Sequence, residues 1–267
     1  MELDRLEPSL AQQLHERWLD HHIEIHPTIA STNKLGIELA EMGHVPAIIV
    51  ADEQTEGMGR YHRSFYSPAG TGLYLSLVIE EPFYSDKILL FTPHVAVALV
   101  ETITQFLPYE TPEIKWVNDV YLHQRKIAGI LVQAQSKTPQ TDRIQLVIGI
   151  GVNLYAPKTG FPTEIEQKAG AIFNEGNGPT RDQFVITLLE QLEYWLHVGN
   201  SDVCSEALRY YRAHQFLMNK VVTFDYKHRE LSGYVTGITD QYALVVQDEN
   251  GNEHHLNSGE VHIKHFD

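Results

Sequence analysis

The stretch from Lys115 to Lys126 reads Lys-Trp-Val-Asn-Asp-Val-Tyr-Leu-His-Gln-Arg-Lys, and Ile-Ala-Gly-Ile-Leu-Val follows at 127–132. Two lysines and an aspartate therefore lie within an apolar, strand-like run. From residue 120 to residue 123 apolar and polar side chains alternate, which is typical of a β-strand. We predict two short strands joined by a turn at 123–125, with Lys126 at the start of the second.

The charged side chains of this stretch have two interpretations. Burying an ammonium group costs free energy unless partners compensate for it. A fixed Lys126 ammonium suits an anionic ligand such as a carboxylate or a phosphate. The alternative is two surface lysines on an ordinary hairpin, and other motifs are needed to decide between them.

A second polar segment runs from Ala51 to Gly72, between two apolar stretches. It is too long for a simple turn, and loops of that length are usually functional or disordered. Its glycines at 57 and 59, with Arg60 and Arg63, suit a loop that surrounds an anion. Taken alone, a Gly-x-Gly-Arg sequence is a weak indication of that function.

Four motifs follow one another along the chain. They are Ser31-Thr32-Asn33, then Gly57-Met58-Gly59-Arg60-Tyr61-His62-Arg63-Ser64-Phe65, then Lys115-Trp116-Val117-Asn118-Asp119 with Lys126 and Gly129, then Gly149-Ile150-Gly151-Val152-Asn153-Leu154. In this order they resemble the biotin protein ligase family, over roughly residues 20 to 266. Four collinear motifs are far more specific than any one of them.

The resemblance implies an α+β fold. A mixed central sheet flanked by helices, similar to class II aminoacyl-tRNA synthetases, would be followed by a small C-terminal SH3-like β-barrel. The sequence pattern agrees, because short alternating segments begin at 221, 231, 242, 254 and 261 and Glu249–Asn252 is a hairpin signal. We expect a catalytic domain at 1–215 and an SH3-like domain at 219–267.

Hydrophobic periodicity places the other elements. We predict helices at 3–19, 33–42, 87–107, 184–195 and 203–211, and strands at 22–26, 47–50, 73–79 and 144–153. Pro27 should end the first strand, and Gly43 should end the second helix. Ser31, Thr32 or Asn33 should cap that helix through a side chain, and the same helix N-terminus can bind a ligand. Glycines 149 and 151 indicate either close approach of a ligand or backbone, or a bulge.

Composition narrows the class of protein. The 267 residues are 43% hydrophobic and 21% charged, which is typical of a soluble globular protein. The net charge of -15, with no basic cluster, disfavours nucleic-acid binding. With a single cysteine, Cys204, no signal peptide and no apolar run long enough to span a bilayer, we expect a cytoplasmic protein. Only thirty residues precede Ser31, too few for the DNA-binding winged helix of some family members.

The resemblance implies an activity. The family couples biotin to ATP, forming biotinyl-5′-AMP and pyrophosphate, and then transfers biotin to a lysine of a biotin carboxyl carrier domain. Lys126 is expected to contact both the biotin carboxylate and the α-phosphate, with Arg60 and Arg63 on the phosphates. Asp119 is expected to orient Lys115 or Lys126, to help hold Mg²⁺, or to act as the base, and the sequence does not choose among these roles.

Site residues follow from the same motifs. The expected catalytic residues are Lys126, Arg60, Asp119 and Lys115. The expected ligand-binding residues are Ser31, Thr32, Asn33, Gln54, Gly57, Met58, Gly59, Arg60, Arg63, Trp116, Asn118, Lys126, Gly129, Leu131, Gly151 and Asn153. Trp116 and Leu131, with Gln54 and Ser31, are candidates for the wall around the biotin ring, and the segment ending in Phe65 and Tyr66 is expected to close over the adenylate. No residue set has metal-ligand spacing, so we assign no protein metal site.

Three departures from the family pattern leave alternatives open. Met58 replaces an arginine, Phe65 a tryptophan and Val117 a proline, and none of these changes removes a titratable group from the expected chemistry. A lipoate or octanoate ligase or transferase is one alternative, and a non-catalytic biotin or biotinyl-AMP sensor, suggested by Met58, is another.

The carrier should dock by strand addition at an exposed sheet edge, and the chain could be a monomer or a homodimer.

Overall fold

A computed structural model describes residues 8–82, 86–135, 142–174, 177–227 and 229–264. Within these ranges the elements are α1 (Pro8–Arg17), β1 (His22–Ile29), α2 (Thr32–Glu41), β2 (Ala47–Gln54), β3 (Gly72–Pro82), α3 (Phe91–Phe106), β4 (Glu113–Lys115), β5 (Asp119–Leu122), β6 (Arg125–Gln135), β7 (Arg143–Asn153), α4 (Arg181–Trp195), α5 (Ser201–Ala213), β8 (Val221–Tyr226), β9 (Arg229–Ile238), β10 (Leu244–Asp248), β11 (Glu253–Leu256) and β12 (Val261–Ile263). The predicted start of α1 and His265 lie outside the described residues.

A seven-stranded mixed sheet forms the centre of the fold, in the order β1-β2-β3-β7-β6-β5-β4. The pair β1–β2 is parallel and the other pairs are antiparallel. Alternation along β2 sends Ile48 and Val50 to the face covered by α3 and α4, and Ala47 and Ile49 to the face covered by α2. The predicted mixed sheet with flanking helices is confirmed.

The apolar helix α3 lies in the main core. Its residues from Val95 to Val100 are all fully buried. With the short 3₁₀ turn before it, Lys87–Phe106 is long and apolar enough to cross a membrane, so the expectation that no such run exists was wrong. Most of that stretch is buried inside the protein, which identifies it as a core helix.

One backbone expectation for the sheet was wrong, and one of the two alternatives left open for the strand glycines is excluded. Pro27 does not end β1, which continues to Ile29. A proline is tolerated there because β1 is an edge strand, where one missing N–H breaks no ladder on the outer side. In β7 the register against β3 and β6 is uninterrupted, so its glycines mark no bulge.

The loop between β2 and β3, residues 55–71, is called here the glycine-rich loop. A buried ion pair between Asp52 and Arg181 of α4 lies at its base, and Asp52 Oδ1 also accepts a hydrogen bond from Gly70 N at 3.0 Å. Removing either partner would leave an uncompensated buried charge, so this pair fixes where the loop re-enters the sheet.

The last five strands form a second, antiparallel sheet in the order β11-β10-β9-β8-β12. These are the five short strands expected for an SH3-like domain. Among the described residues, no ladder joins β11 to β12, so the sheet agrees with the predicted SH3-like domain but does not close into a complete barrel. A closed barrel needs its edge strands to meet in register.

Asp248 organises the hairpin between β10 and β11. Its carboxylate accepts hydrogen bonds from the backbone N–H groups of Asn250 and Asn252, both at 2.9 Å, and lies 2.9 Å from His254 Nε2. The hydrogen bonds with His254 and Asn252 hold the pKa of Asp248 well below its usual range. Ionised Asp248 therefore stabilises this hairpin.

Asp248→Asn should lower the melting temperature at pH 7 by a few degrees. Because the pKa is lower in the folded state, the contribution is complete above the ordinary carboxyl pKa of about 3.9 and declines as the pH falls below it. Thermal melts across this pH range test the expectation. Glu249→Gln, at the tip of the same hairpin, serves as the control, and a difference that persists unchanged in acid would contradict the assignment.

Candidate active site

Lys126 and Asp119 form an ion pair on the hairpin of β5 and β6. Lys126 Nζ lies 2.7 Å from Asp119 Oδ1, and the two side chains are 32% and 21% exposed. His123 and Gln124 form the turn, both with positive φ, as a two-residue hairpin turn requires. The predicted hairpin is confirmed, but Lys115 lies on a separate third strand, β4, whose register pairs it with Asp119.

A cavity of about 220 Å³ opens beside this ion pair. It lies between the sheet, the N-terminus of α2, the glycine-rich loop and the turn before β12. Sixteen of the eighteen predicted site residues line it: Ser31, Thr32, Asn33, Gln54, Met58, Gly59, Arg60, Arg63, Lys115, Trp116, Asn118, Asp119, Lys126, Gly129, Leu131 and Gly151.

Gly57 and Asn153 are not among the described residues that line this cavity. Gly57 lies within the loop, where its carbonyl accepts a hydrogen bond from Phe65 N at 2.8 Å. A Cβ there would lie 2.5 Å from the carbonyl oxygen of Phe65, so glycine is needed for loop packing. Asn153 donates from Nδ2 to Gly170 O at 2.9 Å and lines a neighbouring cavity.

The N-terminus of α2 is capped from another element. Ser31 is the N-cap residue but its side chain makes no capping hydrogen bond, so that expectation was wrong. Gln54 Oε1, at the end of β2, accepts instead from Thr32 N at 2.9 Å and lies 3.2 Å from Thr32 Oγ1. The cap is supplied across the fold, which leaves the buried Ser31 hydroxyl at the cavity wall.

Asn33 connects α2 to the strands β3 and β6. Its Oδ1 lies 2.7 Å from Ser76 Oγ, and its Nδ2 donates to Leu131 O at 3.3 Å and to Gln133 Oε1 at 2.8 Å. The side chain fits because Gly149 faces it, and a Cβ at 149 would lie 2.1 Å from Asn33 Oδ1. Gly151 leaves space for Phe65 in the same way. Both strand glycines thus accommodate side chains of the site.

Two arginines hold the glycine-rich loop. Arg60 Nη1 donates to Asn118 Oδ1 at 3.0 Å, and its Nη2 donates to Gly259 O at 3.4 Å. Arg63 Nη2 lies 2.6 Å from Glu260 Oε2. Between them Tyr61 and His62 have φ of 56° and 58°, a conformation that costs roughly 1–3 kcal/mol for a non-glycine residue. These contacts tie the strained loop tip to both sheets.

The second sheet supplies four cavity residues that the sequence interpretation missed: Gly259, Glu260, Val261 and His262. They belong to β12 and the turn before it. No motif marks them, since their role arises from a contact about 200 residues along the chain from Arg60 and Arg63. Gly259 with φ of 124° is the one local signal, because only glycine adopts that turn easily.

A second cavity of about 870 Å³ adjoins the first. Lys126, Lys115, Asp119 and Arg63 line both. The other charged residues of its wall are Arg125, Glu164 and Lys168. In a chain of net charge -15, five cations against two carboxylates make this a locally positive region.

Lys115 is partly withdrawn from water between the two cavities. Burial lowers the pKa of Lys115, an effect opposed by the carboxylate of Asp119 and strengthened by the Lys126 ammonium. Its Nζ lies 5.7 Å from the centre of the Tyr121 ring. The two lysines and one aspartate form a compact charged group at which an anion is favoured.

Two family profiles match the chain. The Biotin/lipoate A/B protein ligase family matches residues 26–153, and the Biotin protein ligase C terminal domain matches residues 218–263. The chain belongs to the biotin protein ligase family. The four motifs on which the resemblance was based lie at residues 31–33, 57–65, 115–129 and 149–154. All of them fall within the first matched region except residue 154, which directly follows it.

Two relatives illustrate the similarity. The bifunctional ligase/repressor BirA of Bacillus subtilis is 33% identical over 157 residues, which cover 58% of this chain and 47% of BirA. The biotin--[acetyl-CoA-carboxylase] ligase of Paracoccus denitrificans is 33% identical over 132 residues, 49% of this chain and 54% of that protein. The matches therefore span about half the length of these relatives.

Among solved structures, the biotin protein ligase from Aquifex aeolicus in complex with biotin and ATP superposes with a TM-score of 0.76. The sequence identity is 22%, and the match covers 91% of this chain and 98% of that one. At this identity the likeness establishes the fold alone, and the match includes both the large sheet and the second sheet.

Proposed function

We propose that this biotin protein ligase family member activates biotin with ATP and transfers it to a lysine of a biotin carboxyl carrier domain. The observation that carries the proposal is the position of Lys126. Its ammonium is paired with Asp119, and the residue lines both adjoining cavities. One cation can thus contact two anionic substrates, one in each cavity.

In the first step a biotin carboxylate oxygen would attack the α-phosphorus of ATP, and pyrophosphate would leave. Two unit charges 4 Å apart repel by about 4 kcal/mol at an effective dielectric of 20, so fixed cations are needed. Lys126 and Lys115 adjoin both cavities, and Arg63 extends the positive wall. The smaller cavity, with Ser31 and Leu131, is assigned to biotin, and the larger one to the nucleotide.

In the second step the carrier lysine amine would attack the acyl carbon of biotinyl-5′-AMP, and AMP would leave. The amine must lose a proton, and Asp119 is the carboxylate nearest to Lys126 in the site. In this proposal Mg²⁺ enters the site bound to the triphosphate of ATP. The described residues contain no group of three His, Cys, Asp or Glu that could hold a metal, so such an ion would take most ligands from phosphate and water.

Biotin-dependent exchange of pyrophosphate into ATP by the purified protein tests the proposal. We expect exchange with biotin, and calorimetric binding of biotin in preference to lipoate. Exchange that depends on lipoate instead would identify a lipoate ligase. Biotin binding without exchange would identify a sensor, the alternative suggested by Met58 in place of a loop arginine.

Arg60→Ala should release the adenylate at least about tenfold faster. The change removes the hydrogen bonds from the loop to Asn118 and to Gly259, so the closed loop loses part of its stabilisation. Dissociation of preformed biotinyl-5′-AMP, followed by chase with unlabelled ligand, measures the effect. Arg209→Ala, on an exposed face of α5, is the control, and equal release rates would show that Arg60 does not hold the loop closed.

The organisation and partners are part of the same proposal. A catalytic domain at 1–215 and an SH3-like domain at 219–267 would share the site, since Trp116 Nε1 donates to Tyr242 O at 2.9 Å and Arg63 pairs with Glu260. The proposed macromolecular partner is the carrier domain, not DNA. We place the reaction in the cytoplasm, by a monomer or a homodimer.

A further inference from the structure

The segment after α5 runs alongside β4. Ile114 N donates to His214 O at 2.6 Å, and Phe216 N donates to Ile114 O at 2.9 Å. Residues 214–216 therefore act as a short parallel neighbour to the last strand of the large sheet. The Phe216 ring also stacks on Tyr121, with centroids 4.6 Å apart.

Two side chains, one from this segment and one from the last turns of α5, reach the turn between β4 and β5. Gln215 Oε1 accepts a hydrogen bond from Trp116 N at 3.2 Å. Tyr211 Oη lies 3.4 Å from Val117 O, which makes it the weaker contact. Gln215 is 6% exposed and Tyr211 is fully buried, so water cannot readily replace either contact.

This turn connects the charged residues of the site. Trp116 and Val117 lie between Lys115 on one strand and Asp119 on the next. Lys115 and Asp119 line both cavities, whereas Gln215 and Tyr211 are not among the described residues that line either. The hydrogen bonds to Trp116 N and Val117 O connect Gln215 and Tyr211 to the turn that carries Lys115 and Asp119.

We propose that Gln215, assisted by Tyr211, is a positioning residue that holds the Trp116–Val117 backbone so that Lys115 and Asp119 face the reacting carboxylate and phosphate. The inference rests on the proposed ligase function. A displacement of about 1 Å at reacting groups can cost on the order of 100-fold in rate. A buried hydrogen bond at the turn is thus more important for the reaction than its contribution to folding suggests.

Gln215→Met removes the acceptor and keeps a side chain of similar length. We expect kcat for biotin-dependent pyrophosphate exchange to fall about tenfold or more, with KM for biotin changed by less than about twofold. Gln191→Met is the matched control. Gln191 Oε1 also accepts from a tryptophan, Trp195 Nε1 at 3.2 Å, but on α4 and away from both cavities.

Gln215→Glu separates positioning from stability. The variant keeps an acceptor for Trp116 N–H, yet a buried carboxyl should lower its melting temperature. We expect it to recover much of the kcat that Gln215→Met loses while melting lower than wild type. If kcat instead follows melting temperature across wild type, Gln215→Met and Gln215→Glu, Gln215 is merely structural and the inference is overturned.

Tyr211→Phe gives an independent measurement. Loss of this longer hydrogen bond should lower kcat about twofold to threefold and add to the defect of Gln215→Met less than multiplicatively, because both act on one turn. Tyr210→Phe, which removes the adjacent hydroxyl on the same helix, should leave kcat unchanged.

If wild type shows no biotin-dependent exchange, the proposed function fails, whereas normal exchange in wild type and in Gln215→Met refutes only the positioning role.

Discussion

Replacing Lys126 by alanine should reduce biotin-dependent pyrophosphate exchange by about a thousandfold or more. Lys126 is one of three cationic residues that line both cavities and the one paired with Asp119, and without it the biotin carboxylate and the α-phosphate would meet with less compensation. The fold should persist, because the ion pair with Asp119 is partly exposed and such pairs contribute at most about 1 kcal/mol. Initial exchange rates and thermal melts measured on one preparation test both expectations.

Lys158→Ala is the matched control, since Lys158 is an exposed lysine that lines neither described cavity. It should exchange pyrophosphate at the wild-type rate. Full activity of Lys126→Ala would refute the assignment of Lys126. Loss of activity accompanied by loss of the cooperative melt would instead assign Lys126 to folding.

Elements specified by local patterns could be predicted from the sequence. Alternating residues identified β3, a continuous apolar run identified β7, and the turn at His123 and Gln124 follows from a hairpin of fixed register. The five C-terminal strands were visible for the same reason. In each of these elements the hydrophobic face and the turn residues lie within a few positions of one another, so one short window contains the decisive information.

Features that depend on distant partners could not be predicted. Gln54 caps α2 although it lies 22 residues along the chain from Thr32. Glu260 lines the cavity because β12 packs beside the glycine-rich loop, where Glu260 pairs with Arg63. Pro27 continues a strand because β1 is the edge strand of the large sheet among the described residues. The roles of these residues are set by tertiary contacts with residues distant in the sequence, and hydrophobic periodicity carries no information about such contacts.

Gly149→Ala should have the second large effect, on stability and ligand binding together. A Cβ at 149 would lie 2.1 Å from Asn33 Oδ1, so the Asn33 side chain must move. Moving it breaks its contacts with Ser76, Leu131 and Gln133, each worth about 1 kcal/mol. We expect a loss of about 3 kcal/mol, or roughly 6–12 °C in melting temperature, and weakened biotin binding by calorimetry.

The clash with Asn33 can be separated from a general cost of alanine in a strand. Gly237→Ala in β9 is the matched control, because a Cβ there meets no atom within 4 Å, and it should be neutral or slightly stabilising. In an Asn33→Ala background the amide is already absent, so adding Gly149→Ala should cost much less than it does in wild type. An equal cost in both backgrounds would show that a contact other than the one with Asn33 requires glycine at 149.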